Sequence, residues 1–173
     1  MAVRTVLLYP DPRLRLHAVE VTRFDAALAR LAEDMIETMH DQGGIGLAAT
    51  QIGARESLLV LDVSEDRRGS RIFVNPVIVA REGRLTSEEG CLSIPDVRER
   101  VERSARVKVA ARDVRGEPFT VEAEGLFAVC LQHEIDHLEG RLFIDHLSSL
   151  KRERLRKRYL ASRRGAERTA VQG

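Results

Sequence analysis

The stretch EGLFAVCLQHEIDHLEG, residues 124 to 140, constrains the fold more than any other part of the chain. Leu126, Phe127, Val129, Cys130, Leu131, Ile135 and Leu138 are spread around a helix drawn through it, and a helix that is apolar on nearly every side is a buried one. The same segment carries His133, Glu134, Asp136 and His137, which are costly to bury without strong partners. The chain must therefore wrap a core around a helix that brings a polar cluster inside with it. A divalent ion is one partner able to satisfy such a cluster.

The flanking segments supply the layers. In FDAALARLAEDMIETMHDQGG, Leu28, Leu31, Met35 and Met39 recur at spacings of three and four, which predicts an amphipathic helix with Thr22 or Asp25 as its cap and Gly43 as its stop. From Ser57 to about Val121 the signal changes to short β-rich pieces, SLLVLDV, RIFVNPVIVA, RVKVAARDV and PFTVEAE, separated by turn residues. SSLKRERLRKRYLASRR reads as a third helix, capped by Ser148, trailing into a polar tail. No linker or repeat divides the 173 residues, so a single α+β domain over 1–173 is expected. Its antiparallel or mixed β-sheets surround the buried central helix carrying HEIDH, between an N-terminal amphipathic helix and a basic C-terminal helix and tail over 148–173.

With 43% hydrophobic and 32% charged residues the composition excludes a disordered or fibrous chain. No apolar run approaches the roughly 20 residues of a spanning helix, so no membrane role is expected. The start, MAVRTVLLYPDPRLR, lacks the layered design of a signal peptide and any transit-like segment, which favours a bacterial cytoplasm. In that reducing setting Cys91 and Cys130 are free thiols or metal ligands rather than a disulfide. A monomer is expected.

His133 and His137 lie one turn apart on one helical face, with Glu134 beside it, where a carboxylate can take a proton from water. Alone, H-E-x-x-H is evenly balanced between a metal site and solvated helix residues. A catalytic site usually needs a third protein ligand. The metzincin pattern H-E-x-x-H-x-x-G-x-x-H finds Gly140 but meets Phe143 where its last histidine should stand. A peptidase-like site would take Glu153, whose blander role is pairing with Arg156 or Lys157. The better candidate is Cys91 in SEEGCLSIP, just after Gly90 and before a β-like stretch, since a thiolate suits zinc or ferrous iron. Its bland alternative is a small buried hydrophobe, which is how Cys130 reads. A closed structural site in a non-enzymatic RNA-binding protein would need a fourth ligand, for which His146 is a candidate.

Taken together, GIGLAATQ at 44–51, EGCLS at 89–93 and HEIDHLEG at 133–140 resemble, in order and at every fixed position, the three motifs of the peptide deformylase family, bacterial type. The resemblance extends from YPDPRLR to the helix after His146. It implies that Cys91, His133 and His137 bind one divalent ion, natively ferrous iron, with zinc or nickel as substitutes. It also implies that Gln51 and the backbone N–H of Leu92 stabilise an oxyanion, with Glu134 as general acid and base. The implied reaction is hydrolysis of the formyl group from the N-formylmethionine end of a newly made polypeptide, releasing formate. The nascent chain would lie extended beside Ile45, Gly46, Glu89 and Gly90, with Arg98 further along. Ile45, Val129 and His133 would receive the methionine side chain.

Net charge is +1, but residues 148 to 173 carry nine Lys/Arg against two Glu, a local +7 against a body at −6. A charge run of this kind is usually a solvated face. The resemblance implies a ribosome near its exit tunnel as the partner of that helix, since rRNA phosphates would attract one end of the molecule.

Overall fold

Four consecutive apolar residues, Leu58–Leu61, form β2, and all four are buried because the strand is covered on both faces. Leu59 and Leu61 point to one side and pack with Phe73, Val109, Leu131 and Ile135, while Leu58 and Val60 point to the other and pack with Met35 and Met39. The computed structural model of the chain describes residues 2–172, with side chains to position 170. In it, two helices sandwich a five-stranded sheet of order β1-β2-β3-β6-β7, with β1 Gly46–Ala48, β3 Arg71–Glu82, β6 Arg106–Arg112 and β7 Pro118–Glu124. All its pairings are antiparallel.

The outer helix, α1, spans Ala26–Asp41, and Asp25 rather than Thr22 caps it by accepting from the N–H groups of Ala27 and Leu28. Its end is sealed by Gln42, and Gly43 follows at φ +69°. The inner helix, α2, spans Gly125–Leu138, and every residue from Ala128 to Leu138 is buried, as the all-round apolar pattern requires. Truncating a core member such as Leu131 to alanine would cost roughly 2–5 kcal/mol.

On the far side of α2 lies a separate antiparallel hairpin of β4 Leu85–Cys91 and β5 Ile94–Arg103. Neither strand is among the four β-rich pieces expected from sequence, although β5 falls where a β-like stretch is expected after Cys91. Their apolar side, through Ile94, Val97 and Val101, packs with Phe143, Leu155 and Tyr159. The last two belong to α3, Ser149–Gln172, which is helical where a polar tail was expected. The Ser148 hydroxyl accepts from the N–H of Lys151, as the expected cap would.

The N-terminal segment runs across the junction of these layers. The N–H of Leu7 donates to the carbonyl of Gln51 at 2.7 Å, that of Tyr9 to Ser93 at 2.8 Å and that of Ala18 to Leu138 at 2.8 Å. One strap thus touches all three motif segments. Gly140, at φ +71°, lets it pass, because a Cβ there would collide with the backbone of Arg15.

Candidate metal centre and substrate cleft

The hairpin and α2 bring three ligand atoms together. Cys91 Sγ lies 3.3 Å from His137 Nε2, and the two Nε2 atoms of His133 and His137 lie 3.2 Å apart. Zinc-type bond lengths of about 2.0–2.3 Å at tetrahedral angles put such donors about 3.3–3.6 Å apart, so the set fits a small divalent ion. Among the described residues this is the one group of metal-ligating side chains with that spacing, and its ligand atoms fall within 4.8 Å of one another. Cys91 belongs to the set, whereas Glu153 pairs with Arg156 and Lys157 on α3. His146 is not a fourth ligand: its Nε2 lies 2.7 Å from Asp136 Oδ2.

Behind the ligands stands a buried ionic network. His133 Nδ1 meets Glu89 Oε1 at 2.9 Å, which fixes the tautomer that leaves Nε2 as an electron-pair donor. Glu89 accepts two bonds of 2.9 Å from the Arg103 guanidinium, whose Nη1 also donates to Asp136 Oδ2 at 2.5 Å. Burial pushes the Glu89 carboxyl up, but the bonds from Arg103 and His133 outweigh it and leave its pKa at about 2. Asp136 likewise ends at about 2, burial being overcome by His146 and Arg103.

Glu134 has the opposite environment. Burial, with Glu89 nearby, raises its pKa to about 7 against the attraction of His133. Its Oε2 is buried with no protein hydrogen-bond partner among the described residues. The carboxylate packs against Gly46, where an added Cβ would collide with Oε1. Glycine is required there because the β1 backbone presses directly on this acid.

Gln51 sits in a one-turn 3-10 helix, Ala49–Ile52. Its Oε1 accepts from the N–H of Ala48 at 2.9 Å, which turns the amide nitrogen toward Ser93 Oγ at 3.1 Å and Cys91 Sγ at 3.6 Å. The donor therefore faces the ligand set. Cys130, read as packing, is buried, and burial pushes its thiol up to about 12, so it stays a protonated hydrophobe.

A cleft of about 730 Å³ opens onto this centre. Ile45, Gly46, Gln51, Glu89, Gly90, Cys91, Leu92, Arg98, Val129, His133 and Glu134 all line it, and His137 lies beneath, 1% exposed. The Ile45 carbonyl is held by the N–H of Asp62 at 2.9 Å. The Glu89 side chain is engaged with Arg103 and His133, which leaves only its backbone to an extended ligand. Arg98 is exposed on the rim and bonded to Glu88 at 2.7 Å.

Sequence reasoning missed Arg103 and Ser93. Arg103 meets partners 14 and 33 positions away, so no local pattern marks it. Ser93 was quoted within EGCLS but given no role, although the expected role of Gln51 implies that its amide needs a second support.

The polypeptide deformylase family model matches residues 3–153. A peptide deformylase of Alkalilimnicola ehrlichii is 53% identical over 91% of this chain and 89% of that protein. The crystal structure of a peptide deformylase from Legionella pneumophila is 46% identical, with a TM-score of 0.91 over 96% of this chain and 99% of that one. A peptide deformylase from Ehrlichia chaffeensis, solved in complex with actinonin, is 38% identical, with a TM-score of 0.85 over 91% of this chain and 96% of that one.

Proposed function

The chain belongs to the polypeptide deformylase family, and on that premise we propose that Cys91, His133 and His137 hold one divalent metal ion at its active centre. The enzyme hydrolyses the formyl group from N-formylmethionine at the start of newly synthesised polypeptides and releases formate. The convergence of one sulfur and two imidazole nitrogens on a single point carries the metal assignment.

A divalent ion in this cradle supplies Lewis acidity, which makes hydroxide accessible near neutrality. Glu134 accepts the proton of the attacking water at its unpartnered Oε2 and returns it to the departing amine nitrogen. A carboxyl lifted toward neutrality by burial suits both halves of that exchange. Gln51 Nε2 and the N–H of Leu92 donate to the negative charge that grows on the formyl oxygen; loss of one such donor typically costs about 3–4 kcal/mol of barrier. Ser93 and the N–H of Ala48 keep the Gln51 amide turned the right way.

The substrate lies extended between the Ile45–Gly46 edge and the Glu89–Gly90 edge, paired through its backbone, so many sequences are accepted. Ile45, Val129 and His133 receive the methionine side chain, and Arg98 meets the peptide further along the rim. Ferrous iron is the native metal, with zinc and nickel as substitutes that the same donors accept. The exposed cations of α3 dock the enzyme, a cytoplasmic monomer, on the ribosome near the exit tunnel. Leu155 and Tyr159 are core residues, so that docking is tested by charge reversal at Lys157, Arg164 and Arg168 rather than by deleting the helix. Unchanged ribosome affinity and salt dependence in that variant would remove the helix from the docking surface.

The deciding experiment is hydrolysis of a formyl-Met peptide by metal-loaded protein. Glu134→Ala should abolish it with the metal retained, and Cys91→Ala should lose the metal itself. Metal retained at full stoichiometry in Cys91→Ala would overturn the ligand assignment.

A further inference from the structure

One side chain of the methionine pocket has no partner of its own. Along β4, side chains alternate between faces, so Leu85, Ser87 and Glu89 share the face that Glu89 turns toward His133. Leu85 and Ser87 line the cleft together with Leu126, Val129 and Cys130 of α2. The Ser87 hydroxyl is buried and makes no hydrogen bond to protein among the described residues. Of the lining residues, Leu85, Leu126 and Val129 are apolar, a thiol such as that of Cys130 accepts only weakly, and the Glu89 carboxylate on the same strand face is engaged by Arg103 and His133. His133 Nδ1 is already bound to Glu89.

A buried hydroxyl without a partner is unfavourable, and an aliphatic residue there would hold a purely apolar side chain better. The acceptor must come from the occupant. An unbranched side chain reaching this depth places its third atom beyond Cα against the wall. In methionine that region carries a thioether sulfur, a weak acceptor; in norleucine it carries a methylene, which accepts nothing; in methionine sulfoxide it carries an oxygen, a strong acceptor.

Building on the placement of the first side chain in this pocket, we propose that Ser87 is a specificity-determining residue whose hydroxyl donates to an acceptor at the sulfur position. The enzyme therefore distinguishes sulfur from methylene and also deformylates chains that begin with oxidised formylmethionine. The Ser87 oxygen is buried, so it reaches the sulfur or the sulfinyl oxygen by turning about its Cα–Cβ bond, with β4 in place.

The test compares kcat/KM of the metal-loaded enzyme on three formyl peptides that differ only in the first residue: norleucine, methionine and methionine sulfoxide. Wild type should favour methionine over norleucine by about threefold and handle the sulfoxide within about tenfold of methionine. In Ser87→Ala and Ser87→Val the sulfoxide-to-norleucine ratio should fall by about tenfold or more, and the methionine-to-norleucine ratio should approach unity. Ser87→Thr, close in shape to the valine variant but retaining the hydroxyl, should keep both ratios near wild type. Unchanged ratios in the alanine and valine variants, or a wild type more than tenfold slower on the sulfoxide than on methionine, would overturn the role of Ser87 while leaving the deformylase reading intact. Turnover of none of the three peptides by the metal-loaded wild type would overturn that reading and this one together.

Discussion

Glu134 and Asp136 stand two residues apart on α2 and are equally hidden, 5% and 7% exposed, yet their carboxyl groups differ by several pH units. Asp136 faces β5 and is gripped by Arg103 and His146. Glu134 faces the cleft, with one oxygen left without a protein partner. Burial alone therefore does not decide what a buried acid does. The number of donors aimed at it does, and one helix can hold a fixed charge on one side and a movable proton on the other.

The strongest way to sharpen that contrast is to neutralise each acid in turn. Glu134→Gln should lower kcat/KM on a formyl-Met peptide by about 10³-fold, with the metal content unchanged, since acid–base catalysis supplies roughly 10²–10⁴. Asp136→Asn should leave kcat/KM within about tenfold while lowering the unfolding midpoint. Activity retained in the first variant would remove the proton-transfer role of Glu134.

Removing the cation comes next. Arg103→Ala leaves Glu89 and Asp136 buried without their shared partner and should cost about 3–5 kcal/mol in denaturant unfolding. It should also weaken metal binding by about 10–100-fold through the loss of support for His133. A change below about 1 kcal/mol would mean that the network carries little of the stability.

The two carboxyls should also give opposite pH dependences in metal-free protein. The carboxyl of Asp136 is held below its usual value, so its contribution is complete above about pH 4 and is lost as pH falls through about 2. The Glu134 carboxyl is raised, so the folded state retains a proton the unfolded chain releases. Its contribution is complete below about pH 4.5 and is lost as pH rises through about 7. Unfolding free energies between pH 2 and 8 should show both limbs, and Glu134→Gln should flatten the upper one only. An upper limb that persists in that variant belongs to some other group.

The smallest effect is expected at the edge of the network. His146 is a third exposed, and His146→Ala should cost about 1 kcal/mol of stability with little change in kcat.

Much of this was legible in the sequence because the relevant distances are local. His133, Glu134 and His137 are arranged by one helical turn, and Gly90 and Cys91 by one strand end. The β4–β5 hairpin was legible only as a β-like stretch after Cys91, and the reason lies in β5. Its apolar residues Ile94, Val97 and Val101 follow spacings of three and four, which hide a period of two. The register shifts next to Cys91, and Asp96 sits at φ +62°. The kink that erases the strand signal lies beside the turn that presents the Cys91 sulfur. Arg103, Ser87 and Ser93 were hidden for another reason: each acquires its meaning from groups far along the chain or from a pocket wall.

The amino-terminal strap has a consequence for assembly. Its backbone is laced to Gln51, Ser93 and Leu138, so one early segment serves as the cord to which three later pieces are tied. The strap thus adds a backbone tie to the side-chain contacts that already join the acid, the sulfur and the amide. Clipping the first ten residues would loosen the centre at two of its three moorings at once, though none of those residues touches the reaction.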